Sequence, residues 1–286
     1  MMLMKRTALT LTLVTALIVS FLFCGILVQP VKSQFLGSVY ISDDGSVVGT
    51  NTIQRNGNIY TLTANISGGI QVQKSNIVID GVGHTVQGNR AGRGLDLSNG
   101  VGEDPSRSII SNVTLENLRI VGFGFGIETN GGGNNTFIGN YFADCSEEGV
   151  DLGASSYNNI TYCTFVNSTL SMVYQANYNI VTKNNFLNSS VQVWLSGYET
   201  IDGNYWSDYN GRDANGDGIG DTPYGHPSAI IDNHPLMNPV SIPKPEFNDG
   251  VGNTEPFPTL LVIAVTITVL AVIAVSLLVY FKKRKH

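Results

Sequence analysis

The stretch "NNITYCTFVNS", Asn158 to Ser168, decides the fold because the chain repeats it. It lies over "SNIVIDGVGHTVQG" from Ser75, "SNVTLENLRIVG" from Ser111, "NNTFIGNYFADC" from Asn134 and "YNIVTKNNFLNS" from Tyr178. "ETIDGNYWSD" from Glu199 is a degenerate sixth copy. Each copy has Asn followed by Ile, Val or Thr. Most then carry a polar residue about five places on and a bulky apolar residue soon after. The shared Asn falls at 76, 112, 135, 159 and 179, in steps of 36, 23, 24 and 20 residues.

A second short strand precedes most copies: "GIQV" at Gly69, "GLDL" at Gly94, "GIET" at Gly126 and "GVDL" at Gly149. "SMVY" at Ser171 and "VQVW" at Val191 continue it more loosely. Alternation over such short stretches argues for strands with one face inward. Two or three strands per repeat fit one coil of a parallel β-helix. One coil cannot bury its own inner face, whereas stacked coils build a continuous core and pair each other's backbone groups. The fold class expected is all-β, a parallel β-helix solenoid of about six coils. The repeated Asn has a mechanism, since at a coil corner its amide can bond the Asn one coil away. The long step holds an insertion, residues 98–107, which reads as a loop leaving a corner. Residues 39–64, with "VYISDDGSVV" and "NIYTLTANI", are expected to start the solenoid and cover its open end.

The flanks are of another kind. Lys5 and Arg6 precede an apolar run, and Val31-Lys32-Ser33 follows, so residues 1–33 read as a secretory signal peptide. Residues 241–258 (SIPKPEFNDGVGNTEPFP) are rich in Pro, Gly and Asn and read as a stalk. Thr259 to Phe281 is 23 residues without a charge. As a helix it spans about 34 Å, enough to cross a bilayer. The basic tail, residues 282–286, then places the C-terminus in the cytoplasm and the 34–240 body outside the cell. The exposed stretch 34–258, body and stalk together, carries nine basic against 22 acidic residues, a net of −13. Such a charge excludes general nucleic-acid binding.

The opening stretch "NIYTLTANISGGIQVQKSNIVIDGVGHTVQG", the Asn-Ile coils and "NYWSDYNGRDANGDGIGDTPY" (Asn204–Tyr224) together resemble the NosD-related archaeal right-handed β-helix proteins. The resemblance covers about Val39 to Met237. It implies a right-handed solenoid at the cell surface, and a metal (copper) assembly role as one alternative. Three His (84, 226, 234), two Cys (145, 163) and two Met (172, 237) stand in the body, without the clustered spacing copper favours.

Four sets of residues are candidates for function. Asp213, Asn215, Asp217, Ile219 and Asp221, with Gly218 at the turn, are spaced like a calcium loop. Position 12 of that loop is Tyr224 where a bidentate Glu is usual, so a weak structural calcium is expected. Asp96, Glu128 and Asp151, with Gln71, align at one outward position and stack one above another. Like charges in such a column repel unless relieved. This column supports an alternative reading as a polysaccharide lyase or glycoside hydrolase. Tyr141, Tyr157, Tyr178, Trp194, Tyr198, Tyr205 and Trp206 recur along the coils, and exposed rings stack on sugar faces. Trp194 is the leading candidate among them, while Phe142, Phe165 and Phe186 follow the inner pattern. Six Asn-x-Ser/Thr sites, at 65, 112, 134, 159, 167 and 188, permit N-glycosylation. Asn112 and Asn159 are expected to point inward on the corner ladder. The function expected is carbohydrate or envelope-polymer binding by a membrane-anchored surface protein, without catalysis.

Overall fold

The computed structural model describes residues 39–98, 108–225 and 231–242. The signal peptide, almost all of the stalk and the inserted loop, the membrane span, the basic tail and His226 lie outside the described residues. Among the described residues, no helix is long and apolar enough to cross a membrane.

Each repeat copy holds two strands, and the short segment before it supplies a third. The fourth copy shows the unit: Glu148–Gly153, then Asn159–Thr161, then Thr164–Val166. The three strands turn away from one another and pair only with their counterparts in neighbouring coils. Three parallel sheets result. Sheet I runs through Ile70–Val72, Arg93–Asp96, Phe125–Asn130, Glu148–Gly153, Leu170–Val173 and Val191–Trp194. Sheet II holds the first strand of each repeat copy and sheet III the second. Among the described residues the six repeat copies give six coils with all three strands, stacked on a starting coil of Val39–Ile41, Ile59–Leu62 and Ile66–Ser67.

The register aligns the inward side chains into rows. Leu95, Ile127, Val150 and Leu170 stack inside sheet I. Phe137, Ile160, Val181 and Ile201 do so inside sheet II. In sheet III the rings of Phe142, Phe165, Phe186 and Trp206 lie nearly parallel, with centroids 4.8, 4.9 and 4.4 Å apart. All are buried, each worth about 1.5–3 kcal/mol of hydrophobic stabilisation. The expectation that Phe142, Phe165 and Phe186 are core therefore holds.

The corners correct one expectation. At the turn from sheet I to sheet II the buried row is Asn135, Asn158 and Asn179, closed by Glu199. The amides of Val113, Asn135, Asn158 and Asn179 each donate to the side-chain oxygen one coil further on, at 3.0, 3.0, 2.8 and 2.6 Å. Asn76 and Asn112 belong instead to the exposed column just before it, where the backbone is left-handed. Asn159 stands one place after the rung, at the start of a strand. The slip has a cause: the left-handed position and the buried rung are adjacent, and Asn suits both. Doublets such as Asn134-Asn135 and Asn158-Asn159 hide which is which. Asn112 is consequently exposed, and its amide donates to Asn76 Oδ1 at 2.9 Å.

A second ladder lines the corner between sheets II and III, which the repeat alignment did not reveal. The side chains of Asn140, Asn184 and Asn204 donate to the carbonyls of Leu115, Ile160 and Val181 at 2.8, 2.9 and 2.9 Å. Cys163 takes the missing rung, its thiol donating to the Phe137 carbonyl at 3.4 Å. Cys145 is likewise buried, and both thiols are free.

Both ends are covered. Val39–Ile41 pairs antiparallel with Val47–Val48, and Ile53–Asn56 with Ile59–Leu62, so the starting edges of sheets I and II are hairpins, as expected for the first residues. At the far end Tyr224 stacks on Trp206, with ring centroids 4.4 Å apart.

Candidate functional site

The outer face of sheet I carries most of the chemistry. Its strands alternate, so Gln71, Asp96, Glu128, Asp151, Ser171 and Gln192 fall in one column. The column aligned from the sequence thus exists, and its repulsion is relieved in a way the alignment missed. Arg93 forms an ion pair with Glu128 in the next coil, its second contact, Nη2 to Oε1, being 3.2 Å. Asp96 accepts from the backbone and hydroxyl of Ser98 at 2.9 and 2.5 Å.

Glu148 completes the group. Arg93, Phe125 and Glu148 share a second outward column, three residues before the first. Their signal is the residue before each repeat Gly, in "RGLDL", "FGIET" and "EGVDL". The kink at those Gly positions turns two successive residues inward. A Cβ on Gly126 would lie 2.4 Å from the Gly149 carbonyl, so only Gly lets the coils approach there. Burial pushes the Glu148 carboxyl up to about 7, helped by the charge of Asp151 and opposed by a hydrogen bond from Ser171. Burial pushes Asp151 up to about 6, against the pull of Arg93. Glu148 Oε2 and Asp151 Oδ1 are both buried without a hydrogen-bond partner.

Beyond this centre the same face turns aromatic. Trp194 lies in line with Val173 and Gly153, one outward position past the acidic column. It is 54% exposed and packs edge-on against Tyr174, 5.1 Å between ring centroids. In the adjoining turns Tyr157, Tyr178 and Tyr198 form an exposed stack, 5.1 and 5.2 Å apart and within 11° of parallel. Six of the eleven large exposed hydrophobic side chains among the described residues gather here: Tyr157, Tyr174, Tyr178, Trp194, Leu195 and Tyr198. The other ring residues differ. Tyr141 lies under the Arg119 guanidinium, 4.3 Å from its centroid, and Trp206 is core.

The acidic loop follows the last coil, at the C-terminal end of the solenoid. Asp213 Oδ1 accepts from the amides of Gly216 and Asp217 at 2.7 and 3.2 Å, and Oδ2 from Gly218 at 2.9 Å. Asp217 Oδ1 accepts from Ile219 at 2.8 Å, and Asp221 Oδ2 from Ala214 at 2.8 Å. Gly218 makes the sharp turn with φ +85°. Asn215 Oδ1 accepts from Asp217 at 3.0 Å, so every expected side-chain ligand is a turn acceptor. The loop is strapped to the last described segment through Gly220 to Pro235 and Met237 to Gly218, at 2.8 and 3.0 Å. Among the described residues, no three His, Cys, Asp or Glu side chains converge to hold a metal ion.

Parallel coils stacked into three sheets define a β-helix protein. The chain matches the right-handed β-helix region family over residues 37–206, more than half of its length, and it belongs to that family. Neither a curated protein nor a solved structure matches it.

Proposed function

We propose that this chain is a membrane-anchored cell-surface protein that binds carbohydrate or an envelope polymer without transforming it. The observation that carries the reading is Trp194, half exposed beside Tyr174 and one outward position past the end of the polar row. Aromatic faces next to rows of amide, hydroxyl and carboxyl groups are what sugar rings require. The apolar flanks of the sequence and its NosD-type resemblance support the surface location. The test is retention of the full-length chain, purified in detergent, on a broad glycan array. Retention lost in Trp194→Ala supports the reading, and no retention on any glycan overturns it.

A second reading is favoured by Glu148 and Asp151. Two carboxyls on one sheet face, each raised toward the neutral range and each with one unpartnered buried oxygen, suit general acid and base work on a glycosidic bond. On this reading Glu148 is the acid, and Asp96 and Glu128 position the sugar. Release of reducing ends that disappears in both Glu148→Gln and Asp151→Asn would establish it. No release from neutral and acidic polysaccharides alike would end it. We also propose that the 213–221 loop takes calcium as a structural clasp, since its oxygen donors suit a hard cation.

A further inference from the structure

The column just before the buried Asn rungs changes character along the solenoid. It is Asn at 76, 112 and 134, then Tyr at 157, 178 and 198. All six have φ between +54° and +63°. Asn tolerates this left-handed conformation, whereas Tyr adopts it at a cost of roughly 1–2 kcal/mol. Tyr174 and Leu195 in the same turns are left-handed too, at φ +57° and +53°. The three tyrosine rings touch mainly one another and stand in solvent, so core burial does not repay the strain. A strained and exposed apolar row marks a surface kept for a ligand.

The chemistry of that ligand follows from what the turns contain. From Ala154 to Asn158 and from Tyr174 to Asn179 there is no charged residue, and the third turn, Leu195 to Glu199, adds only the acid Glu199, in an exposed stretch of net −13. An acidic polymer would be repelled at long range and would find no Arg or Lys for its carboxylate or sulfate groups. Stacking covers both ring faces of Tyr178 and one face each of Tyr157 and Tyr198, so the middle ring presents only its edge and phenol hydroxyl. The hydroxyls of Tyr157, Tyr178 and Tyr198 have no hydrogen-bond partner among the described residues. Nearly parallel rings repeat them at the ring spacing of 5.1 and 5.2 Å. The outer face of Tyr198, 78% exposed, and the Trp194 ring are left for stacking.

We infer that the ligand is an uncharged glycan, lying along the solenoid axis over these three turns with about one sugar ring per coil. The inference rests on the carbohydrate reading above and sharpens it. The sugar hydroxyls meet the phenol row, and one ring of the chain stacks on Trp194.

The test compares uncharged, uronic-acid and sulfated oligosaccharides of graded length on the full-length chain in detergent. Affinity should favour the uncharged series, rise with length to about three or four rings and be insensitive to salt. The double variant Tyr157→Asn, Tyr178→Asn restores the residue that earlier coils carry, so it should melt no lower than the parent. It should lose about tenfold or more in affinity. Salt-sensitive binding of acidic glycans alone, or unchanged affinity in the double variant, overturns this inference and leaves the carbohydrate reading standing. No binding to any series overturns both. A dimer that dissociates in the double variant gives the row to a second copy of the chain and also overturns the inference.

Discussion

Asp232 shows how much one residue can hold. Its buried carboxylate accepts from the amides of Gly203 and His234 at 2.9 and 3.1 Å. It also accepts from the amide and side chain of Asn204 at 2.9 and 3.3 Å, and from the Trp206 indole at 2.9 Å. Five donors converge on one charge, so Asp232→Ala leaves several buried groups without an acceptor. A loss of about 3 kcal/mol or more is expected in chemical denaturation, with the last coil opening first. Glu199 is the contrasting case. It closes the Asn135–Asn158–Asn179 ladder, yet its Oε1 is buried without a partner and burial pushes its carboxyl up to about 7. Like Glu148 and Asp151, it binds its proton more tightly folded than unfolded. The stabilising contribution of these groups is therefore complete below about pH 4 and is lost as pH rises through about 6 to 7. Glu199→Gln keeps the acceptor for the Asn179 amide without the charge. It should raise the melting temperature at pH 8 and leave it nearly unchanged at pH 4.

Among elements, the corners are more exacting than the strands. A three-residue strand such as Thr164–Val166 needs only an inward apolar residue, and Ile, Val, Leu and Phe all serve along the rows. The corner positions need one side chain each: Asn for the ladders, left-handed tolerance beside them, and Gly where coils approach most closely. Gly126→Ala should cost about 1–3 kcal/mol in thermal or chemical melts, because its Cβ meets a backbone carbonyl that cannot move alone. Cys163 marks the permitted departure. It keeps a donor on the carbonyl one coil back, and burial pushes its thiol up to about 12, so it is a structural rung with no reactive thiolate.

For the molecule as a whole, each coil buries its inner face only by stacking, so stability depends on closed ends. The starting hairpins close one end. At the other, Tyr224 lies on Trp206 and Asp232 locks beneath it, with the 213–221 loop strapped alongside. A calcium clasp in that loop predicts a melting temperature that rises with added calcium and falls with chelator, by several degrees in each direction. Asp217→Ala should erase the response, and a melting temperature blind to chelator would remove calcium from the account.

The sequence by itself determined the solenoid, its coil count, the strand segments and the outward column of Asp96, Glu128 and Asp151. All of these follow from apolar spacing at short range, which a repeat displays many times over. The tertiary structure decided which Asn of each doublet turns inward, because adjacent corner positions favour the same residue for different reasons. It also decided that Arg93 meets Glu128 and that Glu148 joins Asp151. The first contact arises between coils, 35 residues apart, where only the stacking register brings the side chains together; the second lies within the strand Glu148–Gly153, where two successive buried residues break the alternation and leave both carboxyls on the outer face. The change from Asn to Tyr in the exposed column was present in the letters. Its meaning came from backbone strain and ring stacking, which exist only once the coils are superimposed.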